Sequence, residues 1–350
     1  MQDISLEQCL EKRAAGATLV DVRSPGEYAE FTIPGSINIP LFTDEERAEI
    51  GTIYKQVSVE AAKERGLAIA SAKLPALYAQ FRELKGPVVI YCWRGGMRSR
   101  TMATVMSLMG LKTFRLLGGI RSYRRWVQSA LAEYRLQAPC IVLAGHTGTG
   151  KTQLLQRLRE DGYPVLDLEG LAGHRGSIFG HIGLEPSNQK KFEALLLDEL
   201  LKLEAEKRPY LLIEGESRRI GKVVLPEFLV QAKRAGTVFT VRMPVQERVR
   251  NLMADYQPEQ HAEKVKESFE QIRRRMHTPA AREVESALED GRYDDVAALL
   301  LEYYYDPRYE HAALQYDREP IVIDAADVNE AYAKVVPLLR GWNVPQARSV

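Results

Sequence analysis

The chain has 350 residues, which is enough for two domains of ordinary size. Its apolar content of 45% and charged content of 27% are typical of a soluble globular protein, and its formal net charge of +1 excludes nucleic-acid binding through a global positive field. The polar start MQDISLEQCLEKR is unlike a secretory signal, no apolar run approaches ~18 residues, and the three cysteines are far apart, so we expect a cytoplasmic protein without a disulfide framework.

Short apolar runs and helical stretches alternate in the first third of the chain. The runs TLVDVRS, SINIPLF, PVVIYCW and KTFRLLGG predict strands, whereas ALYAQFREL and RSRTMATVMSLMGL show helical periodicity. Strands that alternate with helices predict a parallel α/β sheet. The stretch GGIRSYRRWVQSALAEYRLQAP then predicts a helix that leads to a domain boundary near residue 137.

A second α/β pattern begins at residue 138. The runs CIVLAG, YPVLDLEG, YLLIEGES, GTVFTVRM and PIVIDA predict further strands. A mostly helical block at about 245–312 separates the last two of these strands, and VNEAYAKVVPLLRGW predicts a closing helix. The sequence therefore predicts two α/β domains in tandem, 1–137 and 138–350, with a helical insertion in the second.

The strand PVVIYCW ends at Cys92, and a loop of glycines and arginines follows. A thiol at this position lies at the carboxyl edge of the sheet, where open α/β folds bind ligands. Gly95 and Gly96 allow an anion-binding nest of backbone N–H groups, and the next helix N-terminus together with Arg94 and Arg98 favours the thiolate. We therefore predict Cys92, Arg94 and Arg98 as catalytic residues. The alternative is a buried structural cysteine, the commoner fate of this residue type.

The region from about residue 14 to residue 135 resembles a rhodanese domain. DVRSPGEYAEFTIPGSINIP and LLGGIRSYRRW resemble the two signatures of that family, and Cys92 matches its catalytic cysteine, which carries sulfur or selenium as a persulfide-type intermediate. Common rhodanese loops place four residues between the cysteine and the arginine, but five lie between Cys92 and Arg98. The longer loop is similar to those of cysteine phosphatases and arsenate reductases. We therefore expect the substrate to carry a phosphate-like group next to the transferable atom.

The segment GHTGTGKT fits the pattern G-x-x-x-x-G-K-[ST] and stands between a predicted strand and a predicted helix. This pattern predicts a loop whose backbone N–H groups, lysine and hydroxyl bind a diphosphate, with Mg²⁺ on the threonine. The predicted phosphate-binding residues are Gly145, Thr147, Gly148, Thr149, Gly150, Lys151 and Thr152. The fold class is therefore a rhodanese-like parallel-sheet domain followed by a P-loop NTPase-like α/β domain.

Carboxylates at two strand ends and a glycine-rich segment are candidates for further ligand contacts. The usual aspartate is missing after YLLI, where Glu214 stands instead, followed by Glu216. Asp167 and Glu169 follow another strand. Any of these can anchor a metal-bound water; alternatively, they cap helices or pair with the loop lysine, so no metal ligand is assigned. The segment GLAGHRGSIFGHIG is expected to be a functional loop over the phosphates, or else an ordinary connector. Its candidate contacts are His174, Arg175 and Ser177.

Arginine-rich stretches are candidates for contacts with an RNA backbone. ESRRIGKVVLP supplies Arg218 and Arg219, which can meet the phosphates of a ligand or of RNA, and QIRRRMHT supplies Arg273, Arg274 and Arg275. The stretch LLEYYYDPRYEH adds four tyrosines that can stack on splayed bases, or alternatively close a helix pair. These tyrosines are Tyr303, Tyr304, Tyr305 and Tyr309.

The pairing of the two domains, with the loops CWRGGMRS, GHTGTGKT and GLAGHRGSIFG, resembles the tRNA 2-selenouridine synthase family over essentially the whole chain. The resemblance implies a transferase that converts wobble 2-thiouridine of tRNA to 2-selenouridine. The family attaches a geranyl group from geranyl diphosphate to the sulfur, and then replaces the S-geranyl group with selenium from selenophosphate, here through Cys92. The implied partners are tRNA at its anticodon region and selenophosphate or its synthase. No tightly bound cofactor and no membrane are expected, although Mg²⁺ can accompany the phosphates.

The ligand of the P-loop distinguishes this interpretation from its rivals. We expect geranyl diphosphate rather than ATP, because the usual aspartate is missing and the family reaction needs no nucleotide hydrolysis. The first rival is a rhodanese-type sulfurtransferase coupled to an ATP-using P-loop domain. The second is a non-catalytic chalcogen carrier or sensor in which the P-loop is a nucleotide switch.

Overall fold

The structure, a computed structural model, describes residues 1–308 and 316–342. The chain divides into two compact units, Met1–Ala132 with Glu193–Leu197, and Glu133–Phe192 with Asp198–Val350. Each unit contains a five-stranded sheet whose strands are all parallel. The predicted α/β class is therefore confirmed. Within the described ranges, no helix combines the length and the apolar character that crossing a membrane requires.

The sheet of the first unit has the strand order β1-β5-β4-β2-β3. Its strands are β1 (Gln2–Ile4), β2 (Thr18–Asp21), β3 (Ile37–Asn38), β4 (Val88–Tyr91) and β5 (Thr113–Leu116). The helices of this unit are α1 (Leu6–Ala14), α2 (Pro25–Glu30), α3 (Asp44–Gln56), α4 (Val59–Arg82), α5 (Met97–Leu108) and α6 (Gly119–Glu133). The sequence predicted β2 to β5 but not β1, because a three-residue strand is too short for its periodicity to be recognised.

The strand β4 explains the position of the predicted catalytic cysteine. All four of its residues are buried, as expected for a central strand that is covered on both faces. The helix α5 packs on the sheet through Met102, Ala103 and Met106, which belong to the same apolar core as Val88 and Ile90. Because β4 ends one residue before Cys92, the thiol lies at the carboxyl edge of the sheet, and α5 begins five residues further along the chain.

The sheet of the second unit has the strand order β12-β11-β6-β8-β7. These strands are β6 (Cys140–Gly145), β7 (Val165–Leu166), β8 (Leu211–Glu214), β11 (Thr237–Arg242) and β12 (Ile321–Asp324). All five coincide with runs that the sequence predicted as strands. A short antiparallel hairpin of β9 (Arg219–Ile220) and β10 (Val223–Val224) was not predicted.

The second unit is rich in helices. They are α7 (Lys151–Glu160), α8 (Leu168–Ala172), α9 (Gln189–Ala205), α10 (Glu227–Ala235), α11 (Val245–Tyr256), α12 (Ala262–Arg273), α13 (Thr278–Glu289), α14 (Tyr293–Leu300) and α15 (Val328–Arg340), with a 3₁₀ turn at Pro258–His261 and a π-helical turn at Leu301–Tyr305. Helices α11 to α14 lie in the range predicted as a helical insertion, the last part of which falls outside the described residues. These helices form an apolar core separate from that of the sheet, together with Phe179 and Ile182 from the glycine-rich segment.

Two candidate active sites

Cys92 lies in a loop whose backbone donors are available to a ligand. The thiol is buried, with 3% of the residue exposed. Within the described part of the chain, no backbone N–H of residues 93–96 donates a hydrogen bond to a protein acceptor. The α5 helix begins directly after these residues and adds the positive end of its dipole. The loop therefore has the features of the predicted anion-binding nest.

Gly119, the first residue of α6, and Gly95 allow this loop to pack closely against neighbouring backbone. Gly119 has a φ of +57°, and a Cβ atom there would stand 2.2 Å from the carbonyl oxygen of Cys92. The next residue, Ile120, donates its backbone N–H to that same oxygen at 2.9 Å. A Cβ at Gly95, with a φ of +67°, would stand 2.8 Å from the Leu116 carbonyl oxygen. The close approach of two backbone segments therefore requires glycine at both positions.

Arg98 is oriented by a carboxylate from α2. Its Nη1 atom lies 2.6 Å from Oε2 of Glu27, which also accepts a bond from the backbone N–H of Ser24. Burial raises the pKa of Glu27, but the Arg98 guanidinium outweighs burial and holds that pKa below its usual value. Arg94, the other predicted cation, is exposed to solvent. The structure thus places Cys92 at the start of the loop and Arg98 in the first turn of α5, directly after the loop, and shows what fixes the arginine.

Two residues that the sequence analysis missed contact the same loop. Arg115 on β5 donates to the carbonyl oxygen of Gly95 at 2.8 Å and to Asp3 at 2.7 Å. The hydrogen bond to Asp3 raises the pKa of Arg115. The Oγ atom of Ser99 lies 3.2 Å from Sγ of Cys92, and Ser99 is fully buried. In the sequence, Arg115 was recognisable as a charged residue inside the apolar run TFRL. Ser99 was recognisable as the serine directly after Arg98.

The phosphate loop connects β6 to α7 through three glycines of positive φ, Gly145, Gly148 and Gly150. Helix α11 fixes this loop from outside. Arg248 donates to the carbonyl oxygen of Thr147 at 2.8 Å, and Asn251 donates to that of Gly148 at 2.9 Å. Because these side chains bind loop carbonyls, the loop is already shaped before a ligand binds.

The side chains of the loop make internal contacts that a ligand can exchange. Lys151 donates through Nζ to the carbonyl oxygens of Gly145 at 2.9 Å and His146 at 3.3 Å. Thr149 donates its hydroxyl to the His146 carbonyl at 2.9 Å, so this side chain stabilises the loop. Thr152 donates to Oε2 of Glu169 at 2.9 Å. Lys151 and Thr152 both line the cleft above the loop.

The carboxylates of this cleft differ from those favoured by the sequence. Glu169 and Glu216 line it, and burial followed by the charge of Glu216 raises the pKa of Glu169 to about 8. Glu214 is fully buried beneath the cleft lining and accepts the backbone N–H of Leu168 at 2.6 Å; burial raises its pKa well above the usual value. Asp167 caps α8 by accepting the Gly170 N–H at 2.6 Å. The prediction of Asp167 and Glu214 as ligand contacts is therefore corrected in favour of Glu169 and Glu216.

The glycine-rich segment lies beside the phosphate loop, as expected. Arg175 donates to the carbonyl oxygens of Ile182 and Asp255, each at 2.9 Å, which ties the segment to α11. Ser177 lies 3.1 Å from the Tyr256 hydroxyl, and Arg175 and Ser177 both line the cleft.

His174 does not line this cleft. It packs against Gly180 and Gly221, where added Cβ atoms would approach its ring to 2.8 and 2.5 Å. Burial, followed by His181 and Arg175, lowers its pKa. The prediction of His174 as a ligand contact is therefore wrong for this arrangement of the segment.

A second, apolar cleft adjoins the phosphate cleft. The two share Thr147, Ser177, Leu252, Tyr256 and Tyr305. Beyond these shared residues, apolar side chains from the glycine-rich segment and the helical insertion line the walls, among them Phe179, Ile182, Val265, Val296 and Leu300. A ligand that occupies both clefts would therefore have a strongly anionic end and a hydrocarbon end.

The predicted RNA-binding arginines are partly engaged in ion pairs. Arg273 pairs with Glu270 and Glu285, and Arg218 lies 3.3 Å from Glu227. Three more arginines are exposed on the surface, namely Arg219, Arg274 and Arg275.

The tyrosine cluster is not a uniform stacking surface. Tyr304 is 5% exposed and packs edge-on against Tyr305, with ring centroids 5.1 Å apart, so its prediction as a stacking platform is wrong. Tyr303 is 44% exposed. Tyr309 lies outside the described residues.

The fold and the two sites define a chain that combines a rhodanese-like domain with a P-loop domain. Residues 5–125 match the family model of the rhodanese-like domain, and residues 138–336 match the model described as the tRNA 2-selenouridine synthase AAA domain. The second match alone covers more than half of the chain. The chain therefore belongs to the tRNA 2-selenouridine synthase family.

Curated relatives carry the same family name. The tRNA 2-selenouridine synthase of Hahella chejuensis is 33% identical over 93% of this chain and 94% of its own length. That of Bdellovibrio bacteriovorus is 32% identical over 83% of this chain and 87% of its own length. The relative from Nitrosomonas eutropha is 38% identical over 69% of this chain, and the matched part spans 63% of that protein.

Proposed function

We propose that this protein converts 2-thiouridine at the wobble position of tRNA to 2-selenouridine in two steps. The P-loop site first transfers a geranyl group from geranyl diphosphate to the thiocarbonyl sulfur. The Cys92 site then uses selenophosphate to replace the S-geranyl group with selenium. The observation that carries this proposal is the continuity of the phosphate cleft with the apolar cleft, in a chain that also holds a cysteine in an oxyanion nest.

The apolar cleft supports geranyl diphosphate over ATP as the ligand of the P-loop. A nucleotide base placed there would lose water from its ring nitrogens and amino group without gaining polar partners from Phe179, Val265 or Val296, which costs several kcal/mol. A hydrocarbon tail instead gains roughly 25 cal/mol per Å² of apolar surface removed from water. The diphosphate end meets Lys151 and the backbone N–H groups of the loop.

The residues of the phosphate cleft fit the departure of a diphosphate group. As the sulfur attacks the first carbon of the geranyl chain, negative charge grows on the leaving diphosphate, and Lys151 is placed to stabilise it. The hydroxyl of Thr152 and the carboxylates of Glu169 and Glu216 are oxygen donors that suit Mg²⁺, which would neutralise part of the diphosphate charge. Among the described residues no cluster of three His, Cys, Asp or Glu forms a metal site on its own, so the phosphates would complete the coordination.

Alkylation prepares the nucleoside for the second step. A thiocarbonyl sulfur leaves poorly from carbon, whereas an alkylated sulfur leaves as a neutral thiol once a nucleophile has added. The nest around Cys92 and the guanidinium of Arg98 would bind the phosphoryl group of selenophosphate. Exposed arginines, including Arg219, Arg274 and Arg275, are proposed to contact the tRNA backbone.

Mass spectrometry of tRNA nucleosides tests the whole sequence. In cells that lack the native gene, Cys92→Ala should abolish 2-selenouridine but retain S-geranyl-2-thiouridine, whereas Lys151→Ala should abolish both. Retention of selenouridine in the Lys151→Ala cells would contradict the order of steps.

Calorimetric titration with geranyl diphosphate and with ATP separates this function from the ATP-using rival. We expect binding of geranyl diphosphate and weak binding of ATP. Tight ATP binding without geranyl diphosphate binding would refute the proposed ligand.

A further inference from the structure

We propose that Cys92 attacks the phosphorus atom of selenophosphate, forms a cysteinyl phosphate, and thereby releases hydrogen selenide as the nucleophile for the tRNA. This inference rests on the proposed function and goes beyond it, because it names the bond that Cys92 forms. A persulfide-type mechanism, in which the thiol takes up the chalcogen itself, is the alternative.

The loop geometry favours phosphorus as the atom that meets the thiolate. Five residues separate Cys92 from Arg98, and the backbone N–H groups of residues 93–96 have no protein acceptor in the described part of the chain. These donors follow the thiol directly in the chain and stand between Cys92 and Arg98, so a group that they hold lies next to the thiolate that attacks it. A phosphoryl group carries several anionic oxygens for such a nest, whereas a lone selenium atom accepts only weak hydrogen bonds.

Ser99 supplies a hydrogen-bond donor for the Cys92 sulfur, both when the thiolate attacks phosphorus and when it later leaves. Its buried hydroxyl lies 3.2 Å from Sγ of Cys92 and can donate to the thiolate. The same donor stabilises the thiolate when it later departs from phosphorus. Gly96 offers its carbonyl oxygen to the Ser99 hydroxyl at 3.4 Å, a long contact that leaves the thiolate as the better acceptor.

The electron balance also favours attack at phosphorus. The S–P bond forms, the P–Se bond breaks, and selenium leaves with the bonding pair as selenide, while phosphorus keeps its oxidation state. Water then cleaves the S–P bond and yields phosphate and the free thiolate. Attack at selenium would instead expel phosphite, which contains reduced phosphorus, and the resulting S–Se bond would need a reductant that the proposed function does not supply. Selenide is a weak base, so it leaves without the protonation that an alkoxide requires.

A denaturing quench of enzyme mixed with selenophosphate tests this step. We expect the Cys92 peptide to carry a phosphoryl group without the isotope pattern of selenium, and phosphorus-31 spectra to show phosphate as the product. Ser99→Ala should slow turnover at least tenfold and increase the phosphorylated fraction, and Ser99→Thr, which keeps the hydroxyl, should restore the wild-type distribution. A selenium isotope pattern on Cys92, or phosphite as the product, would overturn the inference.

An isotope-exchange measurement covers the case of a short-lived adduct. Because formation of cysteinyl phosphate is reversible, the wild-type protein should exchange labelled hydrogen selenide into selenophosphate without tRNA, and Cys92→Ser should not. If S-geranyl-tRNA is converted but neither exchange nor phosphorylated peptide is found, the inference fails while the proposed function stands. If selenophosphate does not support conversion at all, the proposed function itself fails.

Discussion

The guanidinium of Arg98 lies 2.6 Å from the carboxylate of Glu27, so an acidic residue from α2 holds the cation of the cysteine loop. Both side chains are largely buried, with 21% and 15% exposed. A phosphoryl ligand therefore meets an arginine whose orientation is already fixed. The same pair links the stability of the first unit to pH.

Replacement of Glu27 by Gln should remove a pH-dependent contribution to stability. Because the pKa of Glu27 is lower in the folded state, its contribution is present above the ordinary carboxyl pKa and is lost as the pH falls through the folded value. We expect Glu27→Gln to cost about 1 kcal/mol at neutral pH, and the difference from wild type to shrink as the pH falls below the ordinary carboxyl pKa and through the lower folded pKa of Glu27. Chemical unfolding over a series of pH values from neutral downward measures this. Glu83→Gln, at an exposed position, is the control, and a difference that is independent of pH would contradict the assignment.

Lys151→Ala should abolish geranyl diphosphate binding while the protein stays folded. The lysine is the cation of the phosphate loop itself, and its removal leaves that loop with only neutral donors, so that Arg175 and Arg308 are the remaining arginines of the cleft. We expect the affinity to fall by at least about 100-fold, the equivalent of one charge-assisted hydrogen bond of 2–3 kcal/mol. Titration calorimetry measures this, with the exposed Lys266→Ala as the control. Equal affinity of the two variants would show that the ligand binds elsewhere.

Met253→Gln tests the apolar cleft separately from the phosphate cleft. Met253 lines the apolar cleft but not the phosphate cleft, and it is only partly buried, so a side chain of similar size but polar character should be tolerated in the fold. We expect geranyl diphosphate to bind about tenfold more weakly, because ~1–2 kcal/mol of apolar contact is lost, and inorganic pyrophosphate to bind as before. Leu201→Asn, at an exposed leucine, serves as the control. Parallel weakening of both ligands would argue against a tail site.

The exposed arginines at the end of α12 should contribute to tRNA affinity through charge. The double variant Arg274→Ala/Arg275→Ala should weaken binding and reduce the slope of log affinity against log salt by about one per lost phosphate contact. Arg273 already pairs with Glu285, so Arg273→Ala should have a smaller effect. Filter binding of tRNA across a salt series distinguishes the variants. An unchanged slope in the double variant would exclude this surface from the tRNA interface.

Gly119→Ala should disable the cysteine loop without touching the P-loop. The added methyl group would collide with the carbonyl oxygen of Cys92, so the loop must shift. We expect loss of selenouridine formation and retention of geranylation in nucleoside analysis. Gly86→Ala also stands at a positive φ but has open space around it, and it controls for backbone strain alone. Similar activity of these two variants would mean that the tight contact is not needed.

Most of the architecture could be predicted because both domains contain local sequence signals for their strands, helices and loops. The buried runs around β4 and β6 are short, apolar and bounded by glycine loops, and GHTGTGKT fixes the start of α7 directly. The hairpin of β9 and β10 escaped because two-residue strands have no measurable periodicity. Local sequence patterns identify single segments of the chain and do not show how these segments pair.

The composition of the candidate site was harder to predict, for a physical reason. Glu169 and Glu216 share one cleft although they stand on different elements, and sequence spacing says nothing about contacts across a sheet. Glu214 occupied the expected strand-end position, yet its carboxylate is buried beneath the cleft lining. Asn251 and Arg248 bind the phosphate loop from a helix about 100 residues away. None of these contacts leaves a local motif.

The contact between Lys151 and the carbonyl oxygens of Gly145 and His146 has a kinetic consequence. An arriving diphosphate finds its cation already engaged, so binding includes a step in which the ammonium group changes partners. That rearrangement is unimolecular, and the observed rate of association should therefore approach a plateau as ligand concentration rises. Lys151 thus stays bonded to its own loop until a ligand offers oxygens that carry more negative charge than a peptide carbonyl oxygen.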